Sequence, residues 1–116
     1  MEKKIIKTIT KLMLDKKASD IKVIKVTKLT SITDYFINCS SDSDPQTKAI
    51  KNSIQEGISK KYSIKPVHIE GYESLKWILM DYINIVVNIF HKKEREYYNI
   101  ERLWADAEIK EVKDIK

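Results

Sequence analysis

The stretch that most constrains the fold is residues 67–91, VHIEGYESLKWILMDYINIVVNIFH. It holds three runs rich in β-branched and aromatic residues, spaced closely enough to be strands of one sheet. WILMDY (77–82) and IVVNIFH (85–91) are separated only by Ile83 and Asn84, the length of a tight hairpin. VHIE (67–70) adds a short strand beside them, and Gly71 marks a bend. Alternation puts Trp77, Leu79 and Asp81 on one face of the hairpin and Ile78, Met80 and Tyr82 on the other. A face that pairs Trp77 with Asp81 leaves two roles for the indole: an exposed anchor of the kind found at interface hot spots, or a ring packed under a helix.

The rest of the chain supplies what such a sheet needs. Residues 2–15 set Ile5, Ile6, Ile9, Leu12 and Met13 on one helical face with lysines opposite, and Ala18, Ser19 and Asp20 end that helix. IKVIKV (21–26) and YFINCS (35–40) read as two strands pairing antiparallel. In SDSDP (41–45), Asp44 is expected to cap a helix that Pro45 opens. Ile50, Ile54, Ile58 and Tyr62 form its apolar stripe, with Lys48, Lys51, Lys60 and Lys61 toward solvent, and Pro66 ends the extended exit. Beyond the hairpin, residues 92–104 put Tyr97, Ile100, Leu103 and Trp104 on one helical side, expected to pack back on the sheet with Trp104 in the core. EIKEVKDIK (108–116) is a charged C-terminal tail, read as a frayed helix or disorder. The order predicts an α+β fold, a mixed sheet of about five strands covered by helices. It is a single domain over 1–107 with the tail at 108–116.

At 116 residues the chain has room for one core. Its net charge of +5 comes from 22 basic and 17 acidic side chains, of which only Arg95 and Arg102 are arginines. That balance fits an anionic partner, RNA or a ribonucleoprotein first, or a merely lysine-biased composition. The single cysteine, Cys39, excludes an internal disulfide and reads as a buried apolar filler. No apolar run of signal-peptide length follows Met1, and the longest apolar stretch is broken by Asn88. The expectation is a cytoplasmic protein that neither crosses nor binds a membrane.

Catalytic patterns are weak. His68 and His91 could meet across strands with Glu70 or Asp81, but no metal-ligand spacing supports them. Asp42 and Asp44 suggest calcium only until the loop is counted: Thr47 and Ser53 stand where an EF-hand needs glycine and glutamate. With only Gly57 and Gly71 there is no phosphate-binding loop. A strand, Ser40 and Ser41, a helix and then carboxylates is the order found in nucleotidyl transfer. Two-metal chemistry needs several convergent acids, whereas this chain offers Glu70 and Asp81. A non-enzyme without metal or cofactor is expected.

Several motifs in order then carry a resemblance: HIEGYE (68–73), WILMDY (77–82), VVNIFH (86–91) and REYYNIERLWAD (95–106), with KASDI (17–21) and SITDYF (31–36) upstream. Together they resemble the ribosomal silencing factor family, also called Iojap, over about residues 5–107. The resemblance implies a nucleotidyltransferase-like α+β fold without the catalytic acids. It implies an anti-association factor that binds the large ribosomal subunit through ribosomal protein L-fourteen, with neighbouring ribosomal RNA in reach. By blocking small-subunit joining such a factor represses translation; organelle relatives act in large-subunit assembly. Carried onto this chain, the partner contacts are Tyr72, Trp77 and Tyr82, with Lys76 and Asp81 as polar neighbours, on a monomer or weak homodimer. A small RNA-binding protein or an assembly factor is the alternative. The family usually has Gly-Asp in the hairpin turn, and this chain has Ile83-Asn84.

Overall fold

The computed structural model describes residues 2–113. Helix α1 (Glu2–Asp15) buries Ile9 and Met13 and gives way to a left-handed Lys17 at φ 64. Strand β1 (Ser19–Lys25) pairs antiparallel with β2 (Tyr35–Ser41), as the alternation predicts, with a register shift between Ser19 and Lys22. Helix α2 (Asp44–Tyr62) follows. Its cap is Ser43, one residue earlier than expected, because Ser43 has the extended backbone (φ −151, ψ 158) a cap requires. Ser43 Oγ accepts from the Gln46 N–H at 3.2 Å, and Asp44 falls in the first turn, where its charge meets the positive end of the helix. Gln46 also joins two elements: its Oε1 accepts from the Asp42 N–H at 2.7 Å, and its Nε2 donates to the carbonyls of Lys16 and Lys17 just past α1. Gly57 leaves room for the Leu12 side chain of α1, whose Cδ1 would lie 2.7 Å from a Cβ there.

Strands β3 (His68–Glu70), β4 (Trp77–Asp81) and β5 (Ile85–His91) complete the predicted set, and a sixth, β6 (Glu108–Val112), is added to it. The sheet order is β3-β4-β5-β2-β1-β6, mixed, with β2 and β5 parallel and the other pairs antiparallel. Helices α1 and α2 cover one face. Their Ile9, Met13, Ile50, Ile54 and Ile58 pack with Ile37, Cys39, Ile78, Met80, Val87 and Ile89, all fully buried.

The structure corrects two expectations near the C-terminus. The segment read as a frayed or disordered tail after 107 is β6, and its last residues, 114–116, lie outside the described residues. Ile109 and Val112, three apart, hide the strand from a search for alternation, because backbone groups make the ladder with β1. Lys22 faces Glu111 and Lys25 faces Glu108 across it, opposite charges that favour the pairing. Nor is 92–104 one helix. Helix α3 (Lys92–Tyr98) stops at Asn99, left-handed at φ 42, whose N–H caps the Arg95 carbonyl at 2.9 Å; Ile100–Trp104 is then a 3-10 turn. The break separates residues expected on one buried side. Tyr97 is 82% and Leu103 76% exposed, and Trp104 is half-buried, its ring 5.5 Å from that of Phe36.

The β4–β5 turn is as short as predicted and uses an unusual geometry. Asn84 N–H donates to the Tyr82 carbonyl at 3.0 Å across Ile83, whose φ is 75, a three-residue γ-turn. Asp81 Oδ1 accepts from the Ile83 N–H at 2.7 Å, and the Asn84 carbonyl accepts from the N–H groups of Asp34 and Tyr35, both at 3.1 Å. These contacts hold a β-branched residue in a region it resists. Replacing Ile83, 60% exposed, by glycine should remove the strain. Ile83→Gly is expected to raise unfolding stability by about 1 kcal/mol, read as a higher midpoint in urea. A lower midpoint would show that the Ile83 side chain contributes more than its backbone costs.

Candidate docking surface

Register fixes which side chains share the face opposite α1 and α2. Trp77, Phe90 and Ser40 form one row across β4, β5 and β2; Leu79, Asn88, Asn38 and Lys22 form the next; Asp81, Val86, Phe36 and Ile24 form the third. Two asparagines stand in the middle of strands otherwise apolar enough for a core, and both are fully or almost fully buried. Buried amides need partners. Trp77 Nε1–H donates to Asn88 Oδ1 at 2.9 Å, and Asn88 Nδ2–H donates to Asn38 Oδ1 at 2.9 Å. This chain runs across three strands and orients the indole.

Trp77 is half-buried, packed beneath α3 with part of its ring left open to solvent. Its ring stacks on Phe90 at 4.8 Å and meets Tyr98 of α3 at 4.9 Å, and Tyr97 lies edge-on to Tyr98 at 5.1 Å. Helix α3 is braced from beneath by Arg95, 6% exposed. Its Nη1 donates to Ser40 Oγ at 3.0 Å and its Nε to Glu101 Oε1 at 2.7 Å, and Asp20 Oδ2 lies 3.5 Å from Nη2. The brace holds α3 and the 3-10 turn against the ends of β1 and β2, and thereby places Tyr98 beside Trp77. Sequence reasoning missed Asn38, Asn88 and Arg95, and it counted Tyr98 among the candidate aromatics without placing it beside Trp77; a polar residue inside each of two apolar strands was the available signal.

The five expected contact residues occupy three places. Trp77 and Asp81 share the face just described. Tyr72 and Lys76 lie on the 71–76 loop, which is tied to α2: Lys51 Nζ sits 4.3 Å from the Tyr72 ring centre, and Lys76 Nζ lies 3.3 Å from Asp44 Oδ1. Tyr82 lies on the opposite, helix-covered side and lines a cleft of about 230 Å³ with Ile5, Ile64 and Ile85. Burial pushes its phenol up to about 12, and its hydroxyl makes no hydrogen bond among the described residues. Burial likewise pushes the Cys39 thiol up to about 12, which suits a filler rather than a nucleophile.

The groups considered for catalysis do not converge. His68 faces Asp81 at one end of the hairpin and binds Glu70 Oε1 through Nε2 at 2.8 Å, whereas His91 stands at the other end of β5. Ser41 is hydrogen-bonded to Thr47, and Ser40 shares the Trp77 row, two rows from Asp81. Among the described residues no three His, Cys, Asp or Glu side chains are grouped to hold a metal ion. No described helix is long and apolar enough to cross a membrane.

A mixed sheet with helices on one face and an oriented aromatic cluster on the other defines a small α+β domain. The chain belongs to the ribosomal silencing factor family: the family model for ribosomal silencing factor during starvation matches residues 1–116. It is 36% identical over 101 residues to the ribosomal silencing factor of Halalkalibacterium halodurans, covering 87% of this chain and 86% of that one. It is 37% identical over 106 residues to that of Bacillus subtilis, covering 91% and 89%. A crystal structure of a Chromobacterium violaceum protein superposes with a TM-score of 0.84 at 36% identity, covering 89% of this chain and 85% of that one. The family is named for silencing ribosomes rather than for a reaction.

The placement of Tyr82 has a testable consequence. Its phenol ionises near 10 in an unfolded chain and at about 12 when folded, so its contribution to stability is complete below pH 10 and is lost as pH rises toward 12. Tyr82→Phe removes a buried hydroxyl that has no partner among the described residues. The variant is expected to match or exceed the parent's stability at pH 7, by up to about 1 kcal/mol, and to lose less of it between pH 10 and 12. Equilibrium unfolding at the two pH values reads both effects; a large loss at pH 7 would show the hydroxyl to be bonded.

Proposed function

We propose that this protein binds the large ribosomal subunit through ribosomal protein L-fourteen and, by occupying that surface, blocks joining of the small subunit and represses translation in the cytoplasm. The observation that carries the reading is the family match along the whole chain. The oriented aromatic cluster supports it, because a half-buried Trp77 packed between Phe90 and the exposed Tyr98 is pre-ordered and binds with little loss of entropy. Trp77 and Asp81 form the centre of the proposed contact, Tyr72 and Lys76 its rim, and Tyr82 buttresses the turn from the other layer. The mechanism is steric competition and requires no chemical step. A monomer or weak homodimer suffices for it. The net charge of +5 favours a second reading, contact with RNA, either beside the protein partner or in assembly of the large subunit.

Sedimentation of purified subunits tests the proposal. The protein is expected to travel with the large subunit and to reduce the fraction of joined ribosomes; travel with neither subunit would overturn it. Trp77→Ala should weaken large-subunit binding at least about tenfold, as a hot-spot residue does, with the far-ultraviolet circular dichroism unchanged. A variant that keeps both its fold and its affinity would remove Trp77 from the contact.

A further inference from the structure

The charge of this protein is divided between its layers. The helical segments, residues 2–17 and 44–62, hold ten lysines against four carboxylates. The remainder of the chain holds twelve basic and thirteen acidic side chains. The helical layer thus carries a surplus of six positive charges, and the rest is nearly neutral. Nine of the ten lysines are exposed, and Lys51, the other, lies over Tyr72. Lys11 is paired with Asp15 at 3.7 Å; Lys3, Lys4, Lys7, Lys16, Lys17, Lys48, Lys60 and Lys61 have no ion-pair partner among the described residues. Between the helices runs a shallow groove of about 400 Å³, flanked by Lys16 and Lys60 and lined by the amide of Asn52 and the hydroxyl of Ser53, with Glu56 its one acid.

From this segregation we infer that the outer face of α1 and α2 is a second binding surface, for the phosphate backbone of RNA. An acidic protein would also be attracted, but protein interfaces are anchored by aromatic or arginine side chains, and α1 and α2 carry no arginine and one aromatic, Tyr62, while Tyr72 meets Lys51 from the 71–76 loop at the edge. Tyr62 is half-buried, with its hydroxyl bonded to Thr8 at 2.8 Å. Flexible lysines without a fixed fork suit a repeated point charge read without sequence preference. At 1.5 Å per residue α1 and α2 extend about 21 and 28 Å, long enough to meet several successive phosphates. The surface lies on the side of the sheet away from Trp77, so the protein can hold RNA with one face and a protein partner with the other. In this form the inference rests on the ribosome-binding reading, with large-subunit RNA as the ligand.

The test compares the parent with the triple variant Lys16→Gln, Lys48→Gln, Lys60→Gln, first confirmed as folded by circular dichroism. A fluorescent RNA duplex of unrelated sequence serves as the probe, titrated at several salt concentrations. The parent should bind with a steep salt dependence, and the variant's slope of log affinity on log salt should be smaller in magnitude by about 3, with at least tenfold weaker binding at low salt. An unchanged slope would overturn the inference, as would polyglutamate displacing the duplex as well as unlabelled RNA does. Trp77→Ala should leave duplex binding intact, and the triple variant should still bind isolated ribosomal protein L-fourteen. Loss of duplex binding alone and loss of protein binding alone therefore separate the failure of one surface from the failure of the other.

Discussion

The parallel pairing of β2 with β5 is the constraint on which the rest of the structure depends. Seven residues on each strand pair, from Tyr35 with Ile85 to Ser41 with His91, and β5 is buried along nearly its whole length. A strand covered on both faces reads as continuous apolar sequence, and IVVNIF does. Such a strand would slide easily against its neighbour if packing were its only guide. Asn38 opposite Asn88 removes that freedom, since a slip of one residue by either strand would turn its own amide into the helix-covered core and leave the other without its partner. The polar pair therefore fixes register for the strands that carry β4 and β3 on one side and β1 and β6 on the other. It also ends on Trp77, so the constraint that aligns the sheet also aims its central surface aromatic.

Two faces result, with different physics. One is covered by helices whose inward stripes are mostly isoleucine, with Met13, Leu12 and Leu14, and whose outward residues are mostly lysine. The other is only partly covered, by a short helix held on the sheet through one buried guanidinium. Arg95 is worth retaining there because it satisfies a hydroxyl and two carboxylates from three segments at once. Removing it would leave Glu101, itself largely buried, without a counter-charge.

Much of this fold was legible in the residues. Five of the six strands and both long helices follow from periodicity and from Pro45, Pro66 and Gly71. What escaped has physical causes. β6 is held by backbone bonds and cross-strand charge, which leave no hydrophobic period. The end of α3 depends on one left-handed Asn99, whose conformation its neighbours do not announce. The γ-turn at Ile83 contradicts local preference and persists because Asp81 and Asp34 tie both of its ends. The site was legible in part: Trp77 and Asp81 fall on one face by simple alternation. Tyr82 falls on the other by the same rule, and Tyr98, brought in from a distant segment, could only be found in three dimensions.

Gln46 has a consequence for how the molecule opens. One side-chain amide closes the exit of α1, through the carbonyls of Lys16 and Lys17, and the entry to α2, through the Asp42 N–H. Neither end can fray without freeing groups that the other end was satisfying. The first helix, the helix start and the strand end before it are thereby coupled into one cooperative folding unit, although some thirty residues separate them along the chain. A transient opening of α1 would loosen the point where β2 hands over to α2. The helical layer and the central strand therefore share their stability even though their outer surfaces face opposite ways.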